Sequence, residues 1–109
     1  MDRKYTIVEH LTGLIPDIAD GTIISRTFHE DKHAKFILFG FAAGQELSQH
    51  TASVPATLYF LQGQAELMLG SDAHHAEPGT FVHMEAKLPH SVIAKTPVWM
   101  LLIMNKAVG

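Results

Sequence analysis

The fold is decided by GQELSQHTASVPATLYFLQG, residues 44–63 of the chain. Two short segments, 46–50 and 56–62, are separated by a short loop, and a glycine stands at each end of the stretch. Short segments followed at once by turn residues are typical of β-strands, whereas a helix needs a longer run with a period of about 3.6 residues. The stretch therefore predicts two consecutive strands.

The same alternation of short segment and turn extends in both directions along the chain. Turn signals stand at 31–33, 63–64, 70–72 and 78–79, where glycine, proline or aspartate tolerates turn geometry. Residues 15–20 could form a single helical turn. The pattern predicts an all-β protein of about eight or nine strands, as a jelly-roll or a small closed barrel that leaves few exposed strand edges. The predicted strands are residues 22–30, 34–42, 46–50, 56–62, 65–69, 80–84, 90–95 and 98–104.

Length and composition limit the classes of function. The 109 residues fit one domain, residues 1–109, without room for a second of ordinary size. The net charge is −3 and no Lys/Arg run exists, so nucleic-acid binding is not expected. The longest apolar run, residues 98–104, is far shorter than the roughly 20 residues that cross a bilayer, so no membrane partner is expected. With no cysteine and a polar N-terminus, we expect a cytoplasmic protein.

The distribution of apolar residues predicts self-association. Charged residues make up 17% of the chain, against an average of about 25%. Segments 34–42 and 98–104 are apolar on both faces, yet a small barrel has only one interior. The surplus apolar surface predicts a homodimer, most simply about a two-fold axis.

The decisive stretch resembles the first motif of the cupin family. That motif runs glycine, five residues, His-x-His, three or four residues, glutamate, six residues, glycine. Gly44, His50 and Gly63 fall in register with it, whereas Ala52 stands at the second histidine and Ala56 at the glutamate.

A second cupin motif is matched in part further along the chain. It runs glycine, five residues, proline, x, glycine, two residues, histidine, three residues, asparagine. Gly79 and His90 match, whereas Glu85 stands at the proline, Lys87 at the glycine and Ala94 at the asparagine. The resemblance covers roughly residues 34–104, which it implies are the core of a cupin barrel (a double-stranded β-helix or jelly-roll). Residues 1–21 would be an N-terminal arm or an extra strand.

The resemblance implies a site of three histidines and one carboxylate, a set that suits Ni, Zn, Mn, Fe or Cu. Only His50 and His90 remain of the four, so a divalent metal should be held weakly or substoichiometrically. Glu46 shares the parity of His50 but lies about 13 Å along the strand. His83 could face inward and approach the pair, or pack on the outer face. His74 and His75 are adjacent, point to opposite faces, and fit a solvated hairpin.

Three classes of function stay open, and no catalytic residue is assigned. The favoured hypothesis is a binding module that holds a small-molecule ligand in the barrel, because apolar walls with a few placed polar groups are typical of ligand pockets. The alternative is a metal-dependent enzyme, dioxygenase-like or isomerase-like, which uses His50 and His90 with His83 as a possible third ligand. The third is a structural protein with a vestigial pocket. The predicted ligand-binding residues are His50, Ala52, Ala56, Leu58, Phe60 and His90.

Overall fold

The computed structural model describes residues 4–106, and almost all of its regular structure is β-sheet. Within that range a single 3-10 helix, Leu11–Leu14, precedes nine strands. No helix in this range is long and apolar enough to span a membrane. The strands are β1 (Ile23–Glu30), β2 (Ala34–Phe41), β3 (Glu46–His50), β4 (Ala56–Gln62), β5 (Ala65–Leu69), β6 (Asp72–Ala76), β7 (Phe81–Met84), β8 (His90–Ala94) and β9 (Val98–Asn105).

The strands form two sheets that enclose one core. One sheet has five strands in the order β1-β2-β9-β4-β7, and the other has four in the order β3-β8-β5-β6. Every pairing is antiparallel. The predicted all-β jelly-roll barrel is confirmed.

Alternation along each strand decides which side chains enter the core. In β8, Val92 and Ala94 are buried while Ile93 between them is exposed, as expected when successive side chains point to opposite faces. The other strands contribute in the same way, so the core combines side chains from both sheets. It contains Phe41, Ala56, Leu58, Phe60, Ala65, Leu67, Ala76, Met84, Val92, Ala94, Val98 and Met100.

The turn predicted at residues 31–33 joins β1 to β2, and Asp31 holds it. The Asp31 Oδ1 accepts hydrogen bonds from the amides of His33 at 2.8 Å and Ala34 at 3.0 Å. The amide of His33, the ring of His29 and the amide of Ala34 lower the pKa of Asp31 to about 2. The ionised side chain therefore stabilises this turn at neutral pH.

The sequence prediction did not include strand β6. It pairs with β5 in the register Leu69↔Asp72 to Ala65↔Ala76, across a two-residue turn that contains Gly70 at φ +62°. Four of its five side chains are exposed and only Ala76 is buried. An edge strand with so little apolar surface lacks the periodic signal that identifies the others.

The N-terminal segment covers part of the outer face of the five-stranded sheet. Ile15 is 2% exposed, and its carbonyl accepts a 2.8 Å hydrogen bond from Trp99 Nε1 on β9. Beneath it, Leu38 of β2 is fully buried. Some of the two-sided apolar surface of β2 is therefore buried within the chain. The helical turn predicted at 15–20 is wrong: the 3-10 helix ends at Leu14, and Pro16 disfavours a helical conformation for the residue before it.

Candidate functional site

A β-bulge in β3 turns His50 toward the barrel interior. Leu47 pairs with Val92, but the register then shifts by one residue, so that His50 pairs with His90. Val92 and His90 lie two apart on β8 and share its inner face. The extra residue of the bulge therefore places His50 beside His90 instead of on the outside of the sheet.

The two imidazoles lie in contact at one end of the four-stranded sheet. Their ring centroids are 4.2 Å apart and their planes are inclined by 59°. His50 Nδ1 lies 2.8 Å from the Ser48 carbonyl oxygen, and His90 Nδ1 lies 2.8 Å from the Leu88 carbonyl oxygen. A carbonyl only accepts, so each Nδ1 carries the proton. In the neutral rings, both Nε2 atoms therefore hold a free lone pair.

Both rings are accessible from outside the barrel, although to different degrees. His50 is exposed, whereas His90 is only 7% exposed. Within residues 4–106 no side-chain nitrogen or oxygen is both buried and without a hydrogen-bond partner. Since His90 Nε2 has no partner in this range, it reaches the surface. The pair therefore offers two hydrogen-bond acceptors to solvent or to a ligand.

The prediction that Glu46 shares a face with His50 is wrong. Glu46 pairs with Ile93, which points away from the core, and both side chains are exposed. The bulge between Glu46 and His50 reverses the parity on which the prediction rested.

The two alanines at the motif's missing ligand positions lie in different settings. Ala52 stands two residues beyond the end of β3, in the loop that leads to β4. Its carbonyl accepts a 2.7 Å hydrogen bond from the Lys87 amide. Ala56 begins β4, is 3% exposed, and pairs with Met84 and Met104.

Leu58 and Phe60, which were predicted to bind a ligand in the barrel, are packed in the core. Both residues face the interior, as Ala56 does on the same strand. Leu58 is 3% exposed and Phe60 is fully buried in the core cluster. A ligand-sized void beside them would leave them accessible to water, so they belong to the packed core instead of to a pocket wall.

His83 lies on the opposite face of the sheet from the core. It pairs with Thr57, and its Nδ1 lies 2.9 Å from Thr57 Oγ1. Thr57 lies between the inward-facing Ala56 and Leu58, so its side chain points outward. The structure therefore does not bring His83 to the pair. His74 and His75 are exposed on β6, where His75 contacts Gln64 and Glu66.

The four-ligand metal site implied by the resemblance does not fit these side chains. In residues 4–106, no group of three or more His, Cys, Asp or Glu side chains could hold a metal ion. His50 and His90 alone supply two neutral nitrogen ligands and no carboxylate. Two neutral ligands neither fill the coordination shell of a divalent ion nor balance its charge.

Two residues near the pair were not among the predicted site residues. Leu69 of β5 pairs with His90 on the side away from His50, which follows only from the β5–β8 register. Lys87 has φ +70°, a left-handed conformation, and it stands where the second motif has glycine. The motif glycine at this position was the sequence signal for a left-handed conformation, because a glycine in a motif often marks a positive φ.

Comparison with known proteins identifies the family. The model of the cupin domain family matches residues 37–104, more than half of the chain. The chain belongs to the cupin superfamily. The match includes both partial motifs, residues 44–63 and 79–94, and therefore both His50 and His90. No curated protein matches this cupin.

Solved structures share the fold over nearly the whole chain. A cupin superfamily protein from Desulfitobacterium hafniense superposes with a TM-score of 0.84 at 20% identity, covering 98% of this cupin and 95% of that protein. A conserved protein of unknown function from Streptococcus pyogenes gives 0.84 at 25% identity, with 98% and 93% covered. An RmlC-like cupin from Shewanella frigidimarina gives 0.75 at 14% identity, with 84% and 81% covered.

Proposed function

We propose that this cupin binds a small molecule at the His50–His90 pair. The observation that carries the proposal is the fixed orientation of the two rings, each with Nδ1 held by a main-chain carbonyl. That arrangement leaves both Nε2 atoms free to accept hydrogen bonds from a ligand. Placed polar groups of this kind are what ligand sites use to orient a ligand.

The surroundings of the pair indicate how a ligand would be held. Leu69 lies beside His90 on the same sheet, and Leu88 packs against the core next to it. A ligand hydroxyl or N–H would donate to the Nε2 atoms, and an apolar part would lie against the leucines. Since Leu58 and Phe60 are packed, the ligand would lie at the mouth of the barrel and not in its centre.

A metal-dependent enzyme is the second candidate, and the two free Nε2 atoms are the observation that favours it. It ranks below binding because no third ligand joins the pair among the described residues.

Ligand screening by NMR on the isotopically labelled chain tests the proposal. We expect some members of a general small-molecule library to shift the ring and amide signals of His50 and His90. His90→Gln should weaken the binding of these ligands by about tenfold or more, because the Nε2 acceptor is lost together with the Nδ1 hydrogen bond that orients the ring. His75→Gln, an exposed histidine on β6, is the matched control and should leave the affinity unchanged. A library with no member that shifts the pair, or equal affinity in His90→Gln, would contradict the proposal.

The partner that we propose for this cupin is a second copy of itself. On the outer face of the five-stranded sheet, Tyr59 is 38% exposed and its cross-strand partner Phe81 is 64% exposed. Leu101 of β9 adjoins Tyr59 on the other side. Large apolar side chains grouped on one face are typical of an interface between subunits.

We therefore expect light scattering at tens of micromolar to give the mass of two chains. Phe81→Glu should give the mass of one chain, because an ionised carboxylate would have to be buried in the interface. Glu46→Gln, an exposed position on β3 of the four-stranded sheet, is the control. A single-chain mass for the unmodified protein would refute the dimer.

A further inference from the structure

The backbone of Lys87 has an unusual conformation directly beside the proposed site. Its φ of +70° makes it the one non-glycine residue with positive φ in residues 4–106. Residues with a Cβ rarely adopt this region, whereas glycine enters it freely. Strained residues that a fold retains are found most often at functional sites.

The fold accounts for the backbone of Lys87 but not for its side chain. The Lys87 amide donates a 2.7 Å hydrogen bond to the Ala52 carbonyl, which ties the loop before His90 to the loop after His50. Glycine would make the same bond without strain. The Lys87 side chain is exposed and forms no salt bridge or side-chain hydrogen bond within the described range. No contact of its ammonium group within residues 4–106 therefore stabilises the fold.

The position of Lys87 connects it to the histidine pair. It lies three residues before His90, and its hydrogen-bond partner Ala52 lies two residues after His50. Together with His83, Leu88 and Pro89 it lines a shallow cleft of about 360 Å³ on the loop before His90, although neither imidazole of the pair is part of the lining. Glu85 lines the same cleft, but its side chain is exposed, and no carboxylate is hydrogen-bonded to either imidazole. Lys87 is nevertheless the charged residue nearest to His90 along this loop, since Glu85 lies two residues further away.

We propose that the ligand of the His50–His90 pair carries a carboxylate, and that the Lys87 ammonium group recognises it. This inference rests on the proposed function and adds the charge of the ligand to it. The ligand class is a small carboxylate with an apolar part, which suits the leucines beside the pair. A charge-assisted hydrogen bond from lysine to a carboxylate is stronger than a neutral one, so it would favour a charged ligand over a neutral one.

The test uses benzoate as the probe and benzamide, its neutral counterpart of the same shape, as the control ligand. Both are titrated into the full chain, and amide and ring signals are followed by NMR. We expect benzoate to saturate in the millimolar range, with shifts at Lys87, His50 and His90. Benzamide should bind at least about tenfold more weakly, because it offers no charge to the lysine.

Three variants separate the charge from the backbone. Lys87→Gln should lower the affinity for benzoate by about tenfold. Lys95, an exposed lysine just beyond the other end of β8, provides the control, and Lys95→Gln should change that affinity by less than about twofold. Lys87→Gly should raise the melting temperature, because the strain is relieved, and still lose the affinity for benzoate. A purely structural role for Lys87 would not produce stability and affinity changes of opposite sign.

The outcomes distinguish this inference from the function on which it rests. Equal affinity for benzoate and benzamide, with both lost in His90→Gln, would overturn the role of Lys87 and leave the binding site in place. No saturable benzoate binding, or unchanged affinity in Lys87→Gln, would also overturn the inference. If in addition no library compound shifts the histidine pair, the proposed function fails as well.

Discussion

Gly63→Ala should destabilise this cupin by about 2–5 kcal/mol, whereas Gly44→Ala should cost only about 1–2 kcal/mol. Both glycines have positive φ, +93° at Gly63 and +85° at Gly44, so alanine is strained at each. They differ in the space that a Cβ would enter. At Gly63 it would collide with the Pro97 carbonyl oxygen and come within 2.9 Å of Val98 Cα, whereas at Gly44 no atom lies within 4 Å.

Urea unfolding of the two variants and the parent measures this difference. The larger loss at Gly63 has a physical reason, because backbone atoms of the β8–β9 turn cannot move aside as a flexible side chain could. Equal losses in the free energy of unfolding would show that the positive φ alone accounts for both effects. The close approach of the backbone at Gly63 would then add no cost.

Ala52→His combined with Ala56→Glu should create a metal site where the parent has only two ligands. The register of the first cupin motif places these positions at the missing histidine and glutamate. We expect Ni²⁺ affinity to rise by more than about a hundredfold, since even a residue that only supports a ligand is worth about 10–100-fold. Without metal, the double variant should melt below the parent, because Ala56 is 3% exposed and a glutamate there would bury a carboxylate.

Calorimetry with Ni, Co and Zn, and melting temperatures with and without each ion, check the double variant. Ala52→His with Ala56→Gln is the matched control, since it keeps the added imidazole and the side-chain size but lacks the carboxylate. Metal affinity equal to that of the parent would contradict the alignment of Ala52 and Ala56 with the ligand positions.

The fold could be predicted from the sequence because most strands carry a local signal. Segments such as β4 and β9 are apolar, short and followed by turn residues, and their predicted bounds agree with the structure to within a residue. β6 was missed because an exposed edge strand needs little apolar surface. The helical turn at 15–20 was wrong because Pro16 disfavours a helical conformation at Ile15, whose carbonyl accepts a hydrogen bond from Trp99 instead.

The site could be predicted only in part, since its geometry depends on residues from several strands. The motif identified His50 and His90, and the structure places their rings in contact. Leu58 and Phe60 were predicted to bind a ligand in the barrel, and both do face inward. Alternation of side chains along a strand, however, cannot show whether that interior is hollow or filled. The bulge that separates the face of Glu46 from that of His50 has no sequence signal of its own. The left-handed conformation of Lys87 is set by its bond to Ala52, a contact between distant loops.

Of the four ligand positions of the cupin motifs, only those of His50 and His90 carry a residue that can bind a metal, so we expect this cupin to hold no metal ion tightly. Calorimetric titration of the unmodified chain with Ni²⁺, Co²⁺ and Zn²⁺ tests it most directly, with His90→Gln as the control. We predict weak or substoichiometric binding, because two neutral imidazoles leave most of the coordination shell unfilled. Tight binding of one ion per chain, abolished in His90→Gln, would contradict the claim and favour a metal-dependent enzyme.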